Sequence, residues 1–531
     1  MRGSFKLKGK AITFVFWFFI ILSLAIRLVN INSPLFDTIH AFRQTQTAIT
    51  IQTFVRDGIK VFNYETPLFG PPWKVPFEFP VFQITAAVLA KSGIGNIDTA
   101  GRVTNIFFFY ISALFLYLIL KIIFKEHLPP VFILFYYLFN PFTIIWSRTC
   151  MIDYCSVAFS LGFLVFFIKW LENKKTLFSL NFYISIVMGI FAYLTKITTV
   201  LAFIPVMIGF SAYYVVDKHI DKGSTLLPDE LSVKTGKLIA LLCIVFIIPL
   251  VFGYGWVLYT DYVKNASPFT VWLTSKNLTE WNYGTIRQRL ETGNWLKVIK
   301  SLHSIVPGFF IFFLPIGVWY ALRDNKKIAL FFFFSFFGIV FEISVFFNLF
   351  TIHDYYLMAV SPLVSVIIGF SVYAFFCKLV HRKRIVLIAS IVIITLTTLP
   401  DVLARLTFPL VQNIYPPKIT LPDFIKTVTA DNEYVVIADF DWNPRILYYA
   451  ERKGFMLRDK YTPEMGELFK KHNFTTILTR TSYPELMSNW RYSVEIESKA
   501  FNLMRFHVFK VTDSLETLNK WKHQYGFLNI H

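Results

Sequence analysis

The sequence predicts an α-helical protein that crosses a membrane many times and ends in a small α/β domain. Three observations predict this. The chain of 531 residues is 55% hydrophobic and only 16% charged, whereas soluble domains carry about 25% charged residues. Several apolar runs are long enough to cross about 30 Å of hydrocarbon. After about residue 404, short strand and helix patterns alternate, as they do in α/β domains.

About eleven apolar segments are predicted to span the membrane. The number is uncertain by one or two, because hydropathy merges closely spaced helices. They lie near residues 11–30, 101–123, 129–147, 151–169, 178–195, 197–216, 237–258, 304–322, 328–350, 356–377 and 385–401. The first segment follows MRGSFKLKGK and resembles a signal peptide. Because it is too long and no small-residue cleavage site follows, it is predicted to be an uncleaved span.

Lysine and arginine mark one side of the membrane. With the N-terminus inside, the connectors MRGSFKLKGK, KIIFKEH, KWLENKK, RDNKK and CKLVHRKR all fall on the cytoplasmic side, as the positive-inside rule requires. The formal charge of +19 therefore reflects topology and not nucleic-acid binding. We predict a multi-pass protein of the cell membrane, a bacterial inner membrane, with a cytoplasmic N-terminus and an extracytoplasmic C-terminal domain.

Two domains are expected. Residues 1–404 form the transmembrane domain, whose first external connector, 31–100, is too long to be a turn. It holds a helix near 36–56, a loop rich in proline and aromatic residues (NYETPLFGPPWKVPFEFP) and an amphipathic stretch suited to the membrane interface. Residues 405–531 form a soluble α/β domain of roughly 125 residues, enough to bury its own core. The four cysteines lie in or beside apolar spans, so no disulfide framework is predicted.

Charged and polar residues gather at the predicted external ends of the spans. Charges at a membrane edge are costly and usually functional. Arginine and lysine there suit the phosphate of a lipid headgroup. A carboxylate beside them stays ionised and can act as a general base. The candidates are Asp37, His40, Arg43, Glu78, Arg148, Asp153, Lys196, His353, Asp354 and Tyr355.

The stretch PLFDTIHAFRQTQTAI holds the first three candidates. A helix that begins at Asp37 places His40 on the same face. Gln44 and Thr47 fall on that arc too, which covers about 80° by the 3.6-residue period. Structural alternatives stay open for single residues. These are helix caps for Asp37 and Asp153, an orienting hydrogen bond for His40, headgroup anchoring for Arg43, pairing with Lys74 for Glu78, snorkelling for Lys196 and membership of the aromatic belt for Tyr355.

These motifs resemble the GT-C superfamily of glycosyltransferases that use lipid-linked sugars, and especially the family of the protein O-mannosyltransferases and the lipid A aminoarabinose transferase. FDTIHAF resembles the mannosyltransferase motif in which an Asp begins the loop helix, and HAFRQTQTA resembles the Arg-containing helix of the aminoarabinose transferase. VPFEFPVFQITAAVL resembles the Phe-Glu-Lys-Pro-Pro loop motif of that family. AGRVTN, MIDYCS, LTKITT and IHDYYLMAVSP resemble its later motifs, in the same order. The likeness covers about residues 10–375.

The resemblance implies roles for the candidates. Asp37 would be the catalytic carboxylate. The other roles are phosphate binding for Arg43, Lys196 and Arg148, shaping of the site or binding of a divalent cation for Glu78 and Asp153, and shaping of the site or acceptor binding for His40, His353, Asp354 and Tyr355. Two positions depart from the family pattern. Thr38 stands where an acidic partner is usual, and Phe79 stands where the loop motif has lysine, which leaves metal dependence and one phosphate contact open.

The expected function is transfer of a sugar from a polyprenyl-phosphate donor to an extracytoplasmic lipid, polysaccharide or protein, with inversion at the sugar carbon. The expected partners are this donor, membrane lipids and the acceptor, without nucleic acid. Because the lipid phosphate leaves, no nucleotide binding is expected, and no GxxxxGK[ST] or GxGxxG motif lies at a strand–helix junction. A divalent cation is the one cofactor left open. A transporter or flippase for a lipid-linked glycan is the main alternative, and it would place its charges near the midplane. A non-catalytic assembly component is the other.

Overall fold

The computed structural model describes residues 9–35, 39–172, 178–219, 228–379, 420–481, 483–501 and 504–525. Helices make up most of the chain as far as residue 379. They are α1 (Gly9–Leu28), α2 (Ala41–Asp57), α3 (Val81–Lys91), α4 (Ile97–Ile123), α5 (Leu128–Phe139), α6 (Pro141–Trp146), α7 (Asp153–Glu172), α8 (Leu180–Val200), α9 (Ile204–His219), α10 (Pro228–Asn265), α11 (Thr279–Tyr283), α12 (Ile286–Leu290), α13 (Thr292–His303), α14 (Leu314–Asp324), α15 (Lys326–Val345), α16 (Phe347–Ile352) and α17 (Leu357–Tyr373). Short 3₁₀ segments lie at Val271–Leu273, Gly308–Phe313 and Asp354–Tyr356, and a π-helical segment at Ala374–Leu379.

The C-terminal region is a five-stranded sheet with helices, which confirms its predicted α/β character. Its elements are α18 (Thr420–Val428), β1 (Tyr434–Ala438), α19 (Arg445–Ala450), β2 (Gly454–Leu457), α20 (Pro463–Lys471), β3 (Phe474–Thr479), α21 (Pro484–Met487), β4 (Tyr492–Phe501), β5 (Met504–Thr512) and α22 (Leu515–Tyr525). The strand order is β2-β1-β3-β5-β4. β1 runs parallel to β2 and β3, while β5 is antiparallel to β3 and β4.

Six helices in the described ranges are long and apolar enough to cross a membrane. These segments are Ile97–Ile123, Asp153–Glu172, Leu180–Val200, Gly236–Asn265, Lys326–Val345 and Asp354–Lys378. A seventh span is possible if Thr292–His303 and Gly308–Asp324, which meet at 91°, count as one broken span. The predicted number of about eleven is therefore not confirmed. The span predicted at 385–401 lies outside the described residues.

A helix cap and a proline explain why one predicted span is divided into two helices. The predicted span 129–147 is divided into α5 and α6 at Asn140. The Asn140 side chain accepts a hydrogen bond from the amide of Phe142 (2.9 Å), and Pro141 has no amide with which to continue α5. The 12 residues of α5 are fewer than the roughly 20 that a bilayer requires.

The C-terminal sheet docks on the long loop between α2 and α3. The amide of Met456 in β2 donates to the carbonyl of Leu68 in the loop (2.8 Å). The amide of Gly454 donates to Pro67 (3.1 Å). Gly70, with φ 79°, lets the loop turn against the sheet, where a Cβ would lie 2.7 Å from a leucine side chain of α20. The loop thus pairs with the edge of β2, which would otherwise present unpaired backbone groups.

A second contact joins the sheet domain to the helical bundle. Asp98, near the start of α4, is buried. Its carboxylate accepts hydrogen bonds from the hydroxyls of Tyr448 and Tyr449, the latter at 3.0 Å. It also accepts one from the amide of Leu35 (3.2 Å). These bonds satisfy a buried carboxylate and hold α19 against the start of α4 and the segment that follows α1.

Candidate active site

Two ion pairs and one pair of a histidine with a carboxylate join segments that are far apart in the sequence. They link Arg43 with Glu78, Lys196 with Asp153, and the His40 ring with Asp354 (3.0 Å). The segments that carry them are α2 and the residues just before it, the loop before α3, the start of α7, the end of α8 and the turn before α17. The structure therefore brings most of the predicted candidates into one site.

The pair formed by Lys196 and Asp153 is the most buried of the three. Asp153 begins α7 and is 2% exposed, and the Lys196 side chain is 9% exposed. Lys196 has non-helical backbone angles inside α8 (φ −165°, ψ 98°), and its carbonyl accepts a hydrogen bond from the Ser156 hydroxyl (3.1 Å). Its ammonium lies 4.6 Å from the ring centroid of Tyr356 and 5.5 Å from that of Tyr355. The kink thus places the Lys196 ammonium beside a carboxylate and two aromatic rings.

Arg43, in the first turn of α2, binds two partners with its guanidinium fork. One terminal nitrogen donates to Gln46 (2.6 Å), and the other contacts Glu78. Burial raises the pKa of the Glu78 carboxyl, but the charge and hydrogen bond of Arg43, a backbone hydrogen bond and the charge of Lys196 together outweigh burial and hold that pKa below its usual value. Glu78 is therefore ionised at neutral pH, and Arg43 remains charged.

The loop that carries Glu78 is fixed against α8. The amide of Phe79 donates to the carbonyl of Leu194 (3.1 Å), two residues before Lys196. The Tyr64 hydroxyl donates to the carbonyl of Glu78 (2.8 Å). Through these bonds the loop and the kink in α8 form adjacent walls of one site.

His40 precedes α2 in a left-handed conformation (φ 49°, ψ 43°). The helix therefore begins at Ala41 and not at Asp37 as predicted, because a left-handed residue ends the helical backbone geometry. The His40 ring centroid lies 5.1 Å from that of Tyr355 and 5.4 Å from that of Trp146. With Asp354 on its Nε2, the imidazole is held in one orientation.

His353 lies beside this group, and its ring centroid is 5.3 Å from that of His40. It stacks on Tyr355, with 5.1 Å between the ring centroids. Burial, followed by the charge of His40, lowers the pKa of His353 to about 4. His353 is therefore neutral at physiological pH, and its imidazole can accept a hydrogen bond.

Gln44 ties α2 to the segment that leads into α7. Its side-chain oxygen accepts a hydrogen bond from the amide of Cys150 (2.9 Å), and its side-chain nitrogen donates to the carbonyl of Ile39 (2.7 Å). Cys150 is three residues before Asp153. This bridge helps to place Arg43 close enough to Asp153 for the carboxylate to act on the guanidinium.

Two predicted residues remain, Asp37 and Arg148. Asp37 falls within 36–38 and lies outside the described residues. The Arg148 guanidinium donates to the carbonyls of Arg27 (2.8 Å) and Val29, at the C-terminal end of α1. Burial, with Arg102 and Arg27 nearby, lowers the pKa of Arg148 to about 10. These contacts satisfy carbonyls at a helix end.

Two buried charged residues at the site are absent from the predicted set. Glu342 of α15 is 1% exposed, its Oε2 has no hydrogen-bond partner in the described part of the chain, and Lys196 is the charged group that acts on it. Lys264, in the last turn of α10, is 6% exposed and lies 5.1 Å from the ring centroid of Phe77, next to Glu78. A single carboxylate within an apolar segment such as GIVFEISV is a functional candidate by default, so Glu342 could have been recognised from the sequence.

The predicted metal ligands Glu78 and Asp153 already have cationic partners, Arg43 and Lys196. Over the ranges that the structure describes, no three His, Cys, Asp or Glu side chains converge in a group that could hold a metal ion. Divalent cations such as Mg²⁺ and Ca²⁺ need several oxygen ligands. The described side chains do not form such a set.

The arrangement of helices, long loop and C-terminal sheet is that of the GT-C fold, which confirms the fold that the resemblance implied. ArnT from Cupriavidus metallidurans bound to undecaprenyl phosphate matches with a TM-score of 0.60 at 11% identity, over 94% of this chain and 98% of that chain. The apo state of the same protein matches with a TM-score of 0.57 at 10% identity, over 95% and 99%.

An archaeal protein also shares the fold. The oligosaccharyltransferase AglB from Archaeoglobus fulgidus, in complex with an inhibitory peptide and a dolichol-phosphate, has a TM-score of 0.50 at 12% identity, over 95% of this chain and 75% of that chain. No protein-family model and no curated protein matches the sequence. At these identities the likeness concerns the fold.

Proposed function

We propose that the chain is an integral-membrane glycosyltransferase that transfers a sugar from a polyprenyl-phosphate donor to an extracytoplasmic acceptor. The observation that carries this proposal is the convergence of Arg43 and Lys196, from α2 and α8, in one site, where Asp153 acts on Arg43 and Lys196 acts on Glu78. Cations in such a site suit a lipid-linked phosphate. The fold supports it, since ArnT is bound to undecaprenyl phosphate and AglB to a dolichol-phosphate in the matching structures.

The donor phosphate binds between the two cations. Arg43 offers a planar fork of donors, and Lys196 offers an ammonium backed by the rings of Tyr355 and Tyr356. Each cation is paired with a carboxylate in the structure, so phosphate binding exchanges or shares that partner. As the bond from the sugar to the phosphate breaks, negative charge grows on the phosphate, and prearranged cations stabilise it.

Asp37 acts as the general base. The acceptor hydroxyl attacks the sugar carbon on the side opposite the phosphate and gives its proton to the Asp37 carboxylate. The electron pair of the broken bond leaves with the polyprenyl phosphate, so the configuration is inverted. Asp37 is three residues before His40, whose ring is held by Asp354. His40, His353 and Tyr355 line the site, where they orient the acceptor.

The site and the C-terminal domain lie on the extracytoplasmic side in this proposal, with the transmembrane domain at 1–404 and the soluble domain at 405–531. Docking of the sheet on the loop before α3, which also carries Glu78, supports placing both on one side. The acceptor is a lipid, a polysaccharide or a protein.

The position of the charges favours an enzyme over a transporter. Asp153 is the first residue of α7, Glu78 lies in a loop, and Asp354 begins the turn before α17. Transporters instead place their substrate sites near the bilayer midplane, at discontinuous helices. Lys196 does lie at a kink, but close to the end of α8.

Replacement of Asp37 by Asn tests the catalytic assignment. The variant is expressed in cells that lack the native gene, and mass spectrometry of their envelope glycans measures transfer. Transfer should be lost, while the amount of protein in the membrane stays normal. The matched control is Asp57→Asn, at the other end of α2, where the carboxylate pairs with the exposed Arg56. Normal transfer by the Asp37 variant contradicts its role as the base.

A further inference from the structure

We propose that Lys264 is a third cation of the site and that it binds a phosphate-class oxyanion together with Arg43 and Lys196. The inference rests on the proposed function and names a further binding residue. Lys264 lies on α10, a helix that supplies none of the predicted candidates.

Lys264 carries a buried ammonium without a counter-charge in direct contact. Its side chain is 6% exposed, and across the described ranges its Nζ forms no ion pair or hydrogen bond. Asp261, one turn earlier on α10, instead accepts hydrogen bonds from the amide (2.9 Å) and the hydroxyl of Ser275. Asp261 and, less strongly, Glu78 act on Lys264 electrostatically, but neither forms an ion pair with it in the described ranges, and Arg43 holds the Glu78 carboxylate.

An unpaired ammonium at this depth is expensive to keep. Proteins pair buried charges with opposite charges or use them to bind ligands. An oxyanion beside Lys264 would supply the missing partner.

Local packing directs Lys264 toward the site. The indole nitrogen of Trp256 donates to the carbonyl of Phe77 (3.0 Å), and the Phe79 ring centroid lies 5.0 Å from that of Trp256. These contacts fasten α10 to the residues on either side of Glu78. Two turns later, the Lys264 ammonium lies 5.1 Å from the Phe77 ring centroid.

Lys264 differs from Arg43 and Lys196 because it can bind an anion without giving up an ion-pair partner. An anion that contacts Arg43 or Lys196 must compete with Glu78 or Asp153. An anion that contacts Lys264 displaces no bonded partner. Lys264 should therefore contribute strongly to affinity for a small oxyanion.

The oxyanion has two conceivable sources. One is the phosphate of the polyprenyl donor, and the other is an anionic group on the acceptor. The chemistry is the same for both, so the experiment needs one arm for each source.

In the first arm, the affinity for polyprenyl phosphate is measured with the full-length protein in lipid nanodiscs. Lys264→Gln should weaken binding at least tenfold, and Lys264→Arg should retain most of it. The control is Lys327→Gln, which removes a lysine paired with Glu172 (2.7 Å) and should bind as the wild type does. The thermal midpoint of Lys264→Gln should not fall, because no bonded partner is lost, so a binding defect would not reflect unfolding.

In the second arm, inorganic phosphate is titrated onto protein already saturated with polyprenyl phosphate. If Lys264→Gln weakens the first binding event, the anion is the donor phosphate. If it weakens only the second, the anion belongs to the acceptor. If both affinities match the wild type, Lys264 is not an anion ligand and the inference is wrong.

Failure of the proposed function has a different signature. Wild-type protein that does not bind polyprenyl phosphate would contradict the proposed function. In that case the titration with inorganic phosphate in the absence of lipid still decides the role of Lys264.

Discussion

Lys196 and Asp153 form a buried ion pair at the point where α8 departs from helical geometry. The two residues are 43 positions apart in the sequence. The kink and the first residue of α7 therefore have to form together for either charge to be tolerated at this depth. Removal of Lys196 should therefore have a large effect on stability.

Lys196→Ala should destabilise the protein by about 3–5 kcal/mol, because it leaves Asp153 buried without its cation. The double variant Asp153→Asn, Lys196→Met should recover most of that stability and still fail to bind polyprenyl phosphate. Thermal unfolding in detergent and a lipid-binding assay measure the two effects. A single variant as stable as the wild type would show that the pair is not formed.

Arg43→Lys should raise the donor KM about tenfold even though the charge is kept. Lysine cannot hold Gln46 and Glu78 together in the planar geometry of a guanidinium, so the phosphate loses a positioned donor. Arg56→Lys, on the exposed end of the same helix, is the control. The assay is initial-rate kinetics with varied donor, and an unchanged KM for Arg43→Lys would remove Arg43 from the donor site.

His353 should make the folded protein less stable in acid. Its pKa is about 4 in the fold, below its ordinary value of about 6.5, so the unfolded chain binds a proton first as pH falls. Its contribution to stability is present above about pH 6.5 and is lost as pH falls toward 4. His353→Gln should flatten the dependence of the unfolding free energy on pH over that window. His472→Gln, in the sheet domain, is the control and should leave that dependence as it is in the wild type. Equal slopes for wild type and His353→Gln would contradict the burial argument.

Tyr448→Phe should loosen the docking of the sheet domain. The change removes a hydroxyl that donates to the buried Asp98 carboxylate, a charge-assisted bond worth about 1.5–3 kcal/mol. Amide hydrogen exchange should become faster at β2 and at its loop partners. Tyr461→Phe, whose hydroxyl bonds to Asn489 within the domain (2.6 Å), is the matched control and should leave exchange at the docking interface unchanged.

The sequence predicted which residues belong to the site better than it predicted their partners. Membrane topology and the cost of charge at a bilayer edge were sufficient to group His40, Arg43 and Lys196. Their pairing depends on distances between helices, and His40 and Asp354 are 314 positions apart. Glu78 pairs with Arg43 and not with the nearby Lys74, the partner in its structural alternative.

The strands of the C-terminal domain show the same limit. β1 is a run of buried apolar residues, Tyr434–Ala438, and was recognisable from its sequence. β2 has only four residues, too few for a periodic pattern. Its edge is covered by the loop before α3, a contact between distant segments that no local pattern encodes. The predicted number of spans is likewise not confirmed, because short apolar helices such as α5 are largely buried and are shorter than a span requires.

Release of polyprenyl phosphate from a polyprenyl-phosphate sugar, measured by mass spectrometry in sealed proteoliposomes, tests the central claim most directly. A panel of sugar donors and an extract of envelope acceptors provide both substrates. We expect free polyprenyl phosphate to accumulate in step with the glycosylated acceptor for the wild type, and neither product to form with Arg43→Ala. Movement of the intact donor between leaflets without release of polyprenyl phosphate would contradict a glycosyltransferase and indicate a flippase.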